Sequence, residues 1–417
     1  MRIIHTSDWH IGHRLYERSR IDEHRQFLDW LLDIIKEEKI DALLVSGDVF
    51  DSSLPSAESI DFYYQFLFRL YSETDASAVI ISGNHDSATR LSAPRKFLEM
   101  VRIHIVGKIS DNFDECIITL GKQNSTVAIV AVPYLSEGEI LSHISFESQI
   151  DRAIRYREAL KALYMQCVSK ISKDLPKILM GHFFVHGGEV SDSERSVQIG
   201  GSMPLSAGDL PENIDYFALG HLHRPQQIKG REYPIIYSGS PLPMTFKEAT
   251  YDKKLYILDL QGRDGENLDK LSHTLEPITI PVFKELCRVS GNFNEIMAEA
   301  RSNSRDWNDK YIEVQLKLDI PITGASDAIR NAFAERGGEV LVVAQSPTRS
   351  NDREISAEEI TTKSPEDIFK SFYKNKYGDD EPRQELEELT ATFKELLDLA
   401  AYGENNETTK DSIKKFE

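Results

Sequence analysis

Cysteine is scarce: Cys116, Cys167 and Cys287 stand alone in 417 residues, with no Cys-x-x-Cys pair. That excludes a disulfide framework and thiolate zinc sites, and it fits a reducing cytoplasm. No apolar run approaches the length of a membrane span. The opening Met-Arg-Ile-Ile-His-Thr-Ser-Asp has neither the apolar core nor the small-residue cleavage site of a signal peptide. A cytoplasmic chain with no membrane partner is expected. A Walker A loop is missing too, since neither Gly107-Lys108 nor Gly121-Lys122 has a glycine five residues before its Gly, so ATP is not hydrolysed by that route. Positive charge is in deficit. Net charge is −19, and from Asn351 onward ten basic residues face eighteen acidic ones. This argues against a simple nucleic-acid coat; DNA or RNA would have to meet local basic patches, bound metal or a partner.

What is present is the composition of a globular protein, 40% hydrophobic and 28% charged, at a length that predicts two or three domains. Apolar runs alternate with helical stretches through the first 265 residues. Strands are expected at Arg2–Ser7, Asp41–Ser46, around Val79, at Val127–Val132, Lys177–Met180, Ile214–Leu219, Ile235–Tyr237 and Leu255–Leu260. This alternation predicts an α/β core with several parallel strands. A helix is expected at Ile21–Glu38, where Phe27, Leu28, Leu31, Leu32 and Ile35 recur at helical spacing. A second is expected at Ala57–Tyr71. Nine of the twelve residues Ile60–Tyr71 are large apolar or aromatic, leaving only Asp61, Gln65 and Arg69 as a wet stripe. Such a helix should be covered on nearly every side, within the chain or by a subunit.

From Ile278 to Gln345 the pattern becomes strand, helix, strand, helix, strand, a small α+β domain. Residues 346–363 read as a polar linker. Ser364-Pro365-Glu366-Asp367 opens one helix with a cap, a proline at the first position and acids in the first turn. A second, from near Pro382, carries Leu386, Leu389, Phe393, Leu396 and Ala400 on one face. This pair lacks a core of its own and is expected to dock on another protein; the tail 403–417 reads as disordered.

Side chains competent to hold metal collect at five strand ends: Asp8 and His10, Asp48, Asn84, His182, and His221 with His223. In four of these clusters a glycine immediately precedes the first such residue. Asp-x-His and His-x-His put both side chains on one side of an extended segment. A lone histidine or aspartate is more often structural than a ligand, but seven such residues at five strand ends make that reading improbable. Two divalent cations need about seven or eight ligands, and this mixed oxygen and nitrogen set suits manganese, iron or zinc better than calcium. Cations held ~3.5 to 4 Å apart assist in-line displacement at a phosphate ester. Phosphoester hydrolysis is the chemistry these ligand types suggest, with Asp48 the natural bridge.

The series Asp8-x-His10, Gly47-Asp48, Gly83-Asn84-His85-Asp86, Gly181-His182 and Gly220-His221-x-His223 resembles the calcineurin-like metallophosphoesterase superfamily. Thr6-Ser7-Asp8-Trp9-His10-Ile11-Gly12, Gly47-Asp48-Val49-Phe50-Asp51 and Gly239-Ser240-Pro241-Leu242-Pro243 are similar to its SbcD branch of bacterial nuclease subunits. The resemblance implies a β-sandwich core flanked by helices over 1–265, a small α+β capping domain at 278–345 and C-terminal helices at 364–402. It implies one metal on Asp8, His10, Asp48 and His223, and another on Asp48, Asn84, His182 and His221, with manganese expected. It makes His85 the acid that protonates the leaving oxygen. Asp51 and Asp86 would lie behind the ligands; Asp51 either orients His85 or caps a turn. The other histidines, His13 among them, are left as structural. Arg14, Arg18, Arg20, Arg90, Arg95 and Lys96 follow the motif loops, and as a group they are candidates to touch DNA phosphates.

The implied function is a metal-dependent nuclease on double-stranded ends, single strands and hairpins. Its implied partners are DNA, an SbcC-type coiled-coil ATPase bound through 364–402, and a second copy through helices 21–38 and 57–71. The alternative is a metallophosphatase or phosphodiesterase acting on a non-DNA substrate. Against it stand Gly-Asn-His-Asp where protein phosphatases carry Gly-Asn-His-Glu, and the 194 residues that follow His223.

Overall fold

A computed structural model of the chain describes residues 1–111, 113–122, 125–144, 152–191, 193–194, 205–260, 273–318 and 322–347, with a few positions between 367 and 394. Two six-stranded sheets dominate it. In the first, Arg2–Thr6, Ala42–Ser46, Ser77–Ile81 and Ile103–Val106 run parallel as neighbours. Lys254–Leu260 pairs antiparallel with the first of them, and His273–Thr279 follows at the edge. In the second, Ser125–Ala131, Lys177–His182, Tyr216–Gly220 and Ile235–Tyr237 are parallel neighbours, flanked by the antiparallel strands Ile117–Lys122 and Gln226–Ile228.

The sheets pack face to face. Strand residues alternate sides, so Ile3, Ala42, Leu44, Val79 and Ile81 meet Ala128, Val130, Leu179 and Phe217 of the second sheet. Ile4, Leu43, Val45 and Ile80 face the opposite way, onto Phe27, Leu31, Leu32, Phe66 and Leu70 of the helices Ile21–Glu37 and Ala57–Glu73. Cover on both faces is why these parallel strands are continuously apolar rather than alternating. The chain thus has the expected β-sandwich core flanked by helices.

The Ala57–Glu73 helix is less enclosed than its composition suggests. Its Ser56 cap accepts from the Ser59 N–H, and Phe62, Tyr63, Phe66, Leu67 and Leu70 are buried. Phe68, however, is 67% exposed and Tyr71 40%. An apolar strip therefore lies open beside Asp61 and Gln65, because the sheet and the first helix cover only one side.

A third sheet of Glu285–Gly291, Lys310–Leu318 and Glu339–Pro347, with helices Phe293–Arg301 and Ala325–Ala334, is the expected strand and helix alternation. Residues Met1–Leu316 and Gly324–Ala344 form one compact unit. The linker at 346–363 and the tail at 403–417 lie almost wholly outside the described residues, as does most of 364–402. In the other unit, Phe369 and Phe393 stack with ring centroids 4.5 Å apart.

Candidate metal centre

Three adjacent parallel strands of the first sheet and two of the second end on one rim. Asp8 and His10 follow Arg2–Thr6, Asp48 follows Ala42–Ser46, and Asn84 and His85 follow Ser77–Ile81. His182 ends Lys177–His182, and His221 and His223 follow Tyr216–Gly220. The loops crowd backbone against side chain. A Cβ on Gly83 would lie 2.3 Å from the Asp48 nitrogen, and one on Gly220 would lie 1.9 Å from the Ser46 carbonyl oxygen. Glycine before the donor residues is what allows this approach. Asp8, His10, Asp48 and His221 have positive φ of 53°, 46°, 49° and 101°. Non-glycine residues rarely adopt such backbone, and it concentrates where a site over-determines the chain.

The side chains converge acceptor to acceptor. His182 Nδ1 donates to the Ser46 carbonyl at 2.9 Å, so its Nε2 turns toward Asn84 Oδ1 at 2.9 Å and Asp48 Oδ2 at 3.2 Å. His221 Nδ1 lies 3.1 Å from the same Asn84 oxygen. His10 Nδ1 faces the Asp51 carboxylate at 3.3 Å and His223 Nδ1 faces Ser193 Oγ at 2.9 Å. Their two Nε2 atoms lie 3.2 Å apart. Asp48 Oδ2 also sits 3.7 Å from His10 Nε2, while its Oδ1 accepts the His85 N–H at 2.8 Å. Lone pairs and carboxylate oxygens gathered this closely repel unless a cation sits among them.

Protonation answers the same demand. Burial alone would lower the His10 and His182 imidazoles, but Asp51, Asp48 and Asp8 raise His10 to about 9, and Asp48 with Asp8 raises His182 to about 9. Burial would raise Asp48, yet His182 and His10 hold its carboxyl well below the ordinary range. Burial and the neighbouring His182 push His221 down to about 3. Asp8, His10 and His223, and separately Asp8, Asp48 and His182, each bring three ligand atoms close enough to hold one ion. The donor set therefore fits divalent cations.

His85 is half-buried, and its Nδ1 donates to the Asp51 carbonyl at 2.9 Å. Asp51 thus touches both histidines, His85 through its backbone and His10 through its carboxylate. The Asp86 carboxylate accepts from the Val49, Phe50 and Gly83 N–H groups at 3.1, 2.9 and 2.9 Å, lacing the second loop to the third. A cavity of about 300 Å³ opens over these groups.

Of the six candidate phosphate-binding cations, Arg14 lines that cavity. Arg20 is 1% exposed, paired with buried Glu23 and donating to the Pro243 carbonyl, so it does not reach the cavity. Arg18 pairs with Glu339 of the third sheet. Arg95 bonds Glu115 at 2.8 Å and, with Lys96, borders a different depression. Arg90 is exposed on the short helix Ala88–Ser92. His13, structural by its sequence context, lines the cavity with a buried Nδ1 that has no hydrogen-bond partner among the described residues. Ser193, Glu194 and Met244 also line it. None of these carries a local signal in sequence.

The calcineurin-like phosphoesterase family matches residues 1–225, and the type 5 capsule protein repressor C-terminal domain matches residues 282–377. The chain is 32% identical over 396 residues to the SbcD subunit of the SbcCD nuclease from Bacillus subtilis (strain 168), covering 93% of this chain and 96% of that protein. It is 31% identical over 328 residues to the SbcD subunit of the SbcCD nuclease from Escherichia coli (strain K12), covering 78% of each. The Rhodobacter capsulatus protein of the same name is 31% identical over 393 residues, covering 89% and 94%.

Proposed function

The chain belongs to the calcineurin-like phosphoesterase family and, within it, to the SbcD subunits of SbcCD nucleases, and from that membership we propose a metal-dependent DNA nuclease subunit. It cuts double-stranded ends exonucleolytically, and single strands and hairpins endonucleolytically. The observation that carries this reading is the convergence of acceptor groups from five strand ends on one rim, with His85 beside them.

Asp8, His10, Asp48 and His223 would hold one cation, and Asp48, Asn84, His182 and His221 the other, with manganese the preferred metal. Bound there, two cations supply an activated water and neutralise charge on the phosphate oxygens. The protein's own part is orientation and proton transfer. The Asp51 carbonyl requires a proton on His85 Nδ1, so a second proton, on Nε2, makes the ring a cationic acid for the leaving oxygen. Arg14, at the cavity, positions the DNA backbone.

Residues 278–345 serve as the capping domain that shapes access to the cavity, and 364–402 binds an SbcC-type coiled-coil ATPase, which the SbcCD name of the relatives supports. The open strip with Phe68 and Tyr71 supports a homodimer through helices 21–38 and 57–71. Among the described residues no helix is long and apolar enough to cross a membrane.

The test is cleavage of end-labelled duplex and hairpin DNA by the purified chain with Mn2+, alone and with the ATPase, beside bis-p-nitrophenyl phosphate. DNA cutting that falls roughly 10² to 10⁴-fold in His85→Ala is expected for loss of a general acid. Hydrolysis of the small ester with DNA intact in both arms would instead identify a phosphodiesterase. Undiminished cutting by His85→Ala would remove the acid from that residue.

A further inference from the structure

Behind His223, on the side away from the other donors, lies a polar network that the nuclease reading does not use. Glu248 is 1% exposed, Glu194 3% and Lys253 6%. Glu248 Oε2 accepts from Lys253 Nζ at 2.8 Å and from the Met244 N–H at 3.1 Å. Glu248 Oε1 accepts from Ser193 Oγ at 2.6 Å, and Ser193 Oγ is the atom that faces His223 Nδ1 at 2.9 Å. Ser191 Oγ adds a second hydroxyl, 3.2 Å from the same carboxylate oxygen and 2.8 Å from Ser193 Oγ. The backbone of His223 is held as well: its N–H donates to Glu194, and its carbonyl accepts from Lys253 Nζ at 3.2 Å.

Three elements meet here: the Ser191 to Glu194 segment, the loop after Tyr216–Gly220, and the turn Glu248–Thr250 with the chain that follows it. A buried ion pair such as Glu248–Lys253 adds little net stability over an apolar pair of the same size, so stability alone does not account for it. Orientation does. An ionised carboxylate only accepts, so the single proton of the Ser193 hydroxyl points at Glu248. The lone pairs of Oγ are then left for His223 Nδ1, which meets them only as an N–H. Glu194 and Glu248 oxygens, each 3.5 Å from Nδ1, favour the same proton position. The consequence appears on the far side of the ring, where Nε2 keeps its lone pair and faces His10 and Asp8.

We infer that Glu248, acting through Ser193, is a positioning residue that fixes the His223 imidazole as an Nε2 donor for a divalent cation. The inference rests on the reading that His223 is a ligand. Groups that donate to or accept from the outer nitrogen of a ligating histidine set its tautomer, ring angle and basicity.

Isothermal titration of Mn2+ into the metal-free full chain tests this without reference to nuclease activity. Ser193→Ala is the principal variant, because it leaves the buried Glu248–Lys253 pair intact. It is expected to weaken one of two Mn2+ sites roughly 10 to 100-fold and leave the other unchanged, with Glu248→Gln acting on the same site. Ser193→Thr, which keeps the hydroxyl, restores the parental affinity, and Glu248→Gln has a smaller effect in the Ser193→Ala background than in the parent, because only its direct 3.5 Å approach to Nδ1 is then left to lose. A role in packing alone would show no such rescue and no selectivity for one site. His223→Ala separates the two readings. If it abolishes one site while Ser193→Ala binds as the parent does, the positioning inference falls and the ligand stands. If His223→Ala keeps both sites, the ligand reading falls, and the inference with it.

Discussion

Arg14 opens one short hairpin, Arg14–Leu15 with Arg18–Ser19, Arg20 follows it, and burial gives them different work. The Arg14 side chain is 57% exposed at the cavity. Arg20 is sealed against Glu23, with Nε–H bonds of 3.0 and 3.1 Å to the two carboxylate oxygens. Removing one partner of a buried pair strands the other, so Arg20→Ala should cost about 3 to 5 kcal/mol in guanidinium unfolding. Arg14→Ala should leave stability within about 0.5 kcal/mol. It should also lower the slope of log affinity for DNA against log salt by about one, as loss of a single phosphate contact does. Equal unfolding midpoints for the two variants would contradict this division.

At the scale of the element, the site depends on how closely strand ends approach. Gly220 lies against the Ser46 carbonyl of the neighbouring sheet, and a methyl group there has 1.9 Å where ordinary contact needs about twice that. The obstruction is backbone, which cannot rotate away as the end of a side chain can. Gly220→Ala should therefore part the two sheets at the rim. An overpacking cost of at least about 1 to 3 kcal/mol is expected in thermal unfolding, together with loss of Mn2+ binding in calorimetry. Unaltered Mn2+ binding would show that the rim tolerates separation.

For the molecule as a whole, the donors come from both halves of the sandwich. Asp8, His10, Asp48 and Asn84 belong to the first sheet, and His182, His221 and His223 to the second. A cation held by both exists only in the folded protein, so it stabilises the fold by mass action. With Mn2+ at a hundred times its dissociation constant, the gain should be about 2.7 kcal/mol per site. The thermal midpoint should rise on adding Mn2+ and return with a chelator. A midpoint indifferent to Mn2+ would mean that the acceptors are satisfied by protons alone.

Local chemistry made much of the chain legible. The helix expected from Ile21 is Ile21–Glu37, and the small sheet follows the expected order from Glu285 to the strand Glu339–Pro347. Periodicity and turn residues act within a few positions, so a linear reading captures them. The strands Ile103–Val106, Ile117–Lys122 and His273–Thr279 are edge strands of their sheets, and they lack the continuous apolar runs of the central parallel strands because which of their faces is covered depends on the folded sheet. The same limit applies at the site. Asp8-x-His10 and His221-x-His223 announce themselves because each sets two donors within three residues after an apolar run, although the backbone there is left-handed at Asp8, His10 and His221 and not extended as the sequence suggests. Ser193, Glu248 and Lys253 are ordinary residues in sequence, joined only where loops from distant segments close around His223. The burial of Arg20 and the exposure of Phe68 were settled in the same way. Residue type and spacing determine which groups a strand end presents. Which groups meet, and which charges lose water, is decided by sheet packing that no short window contains.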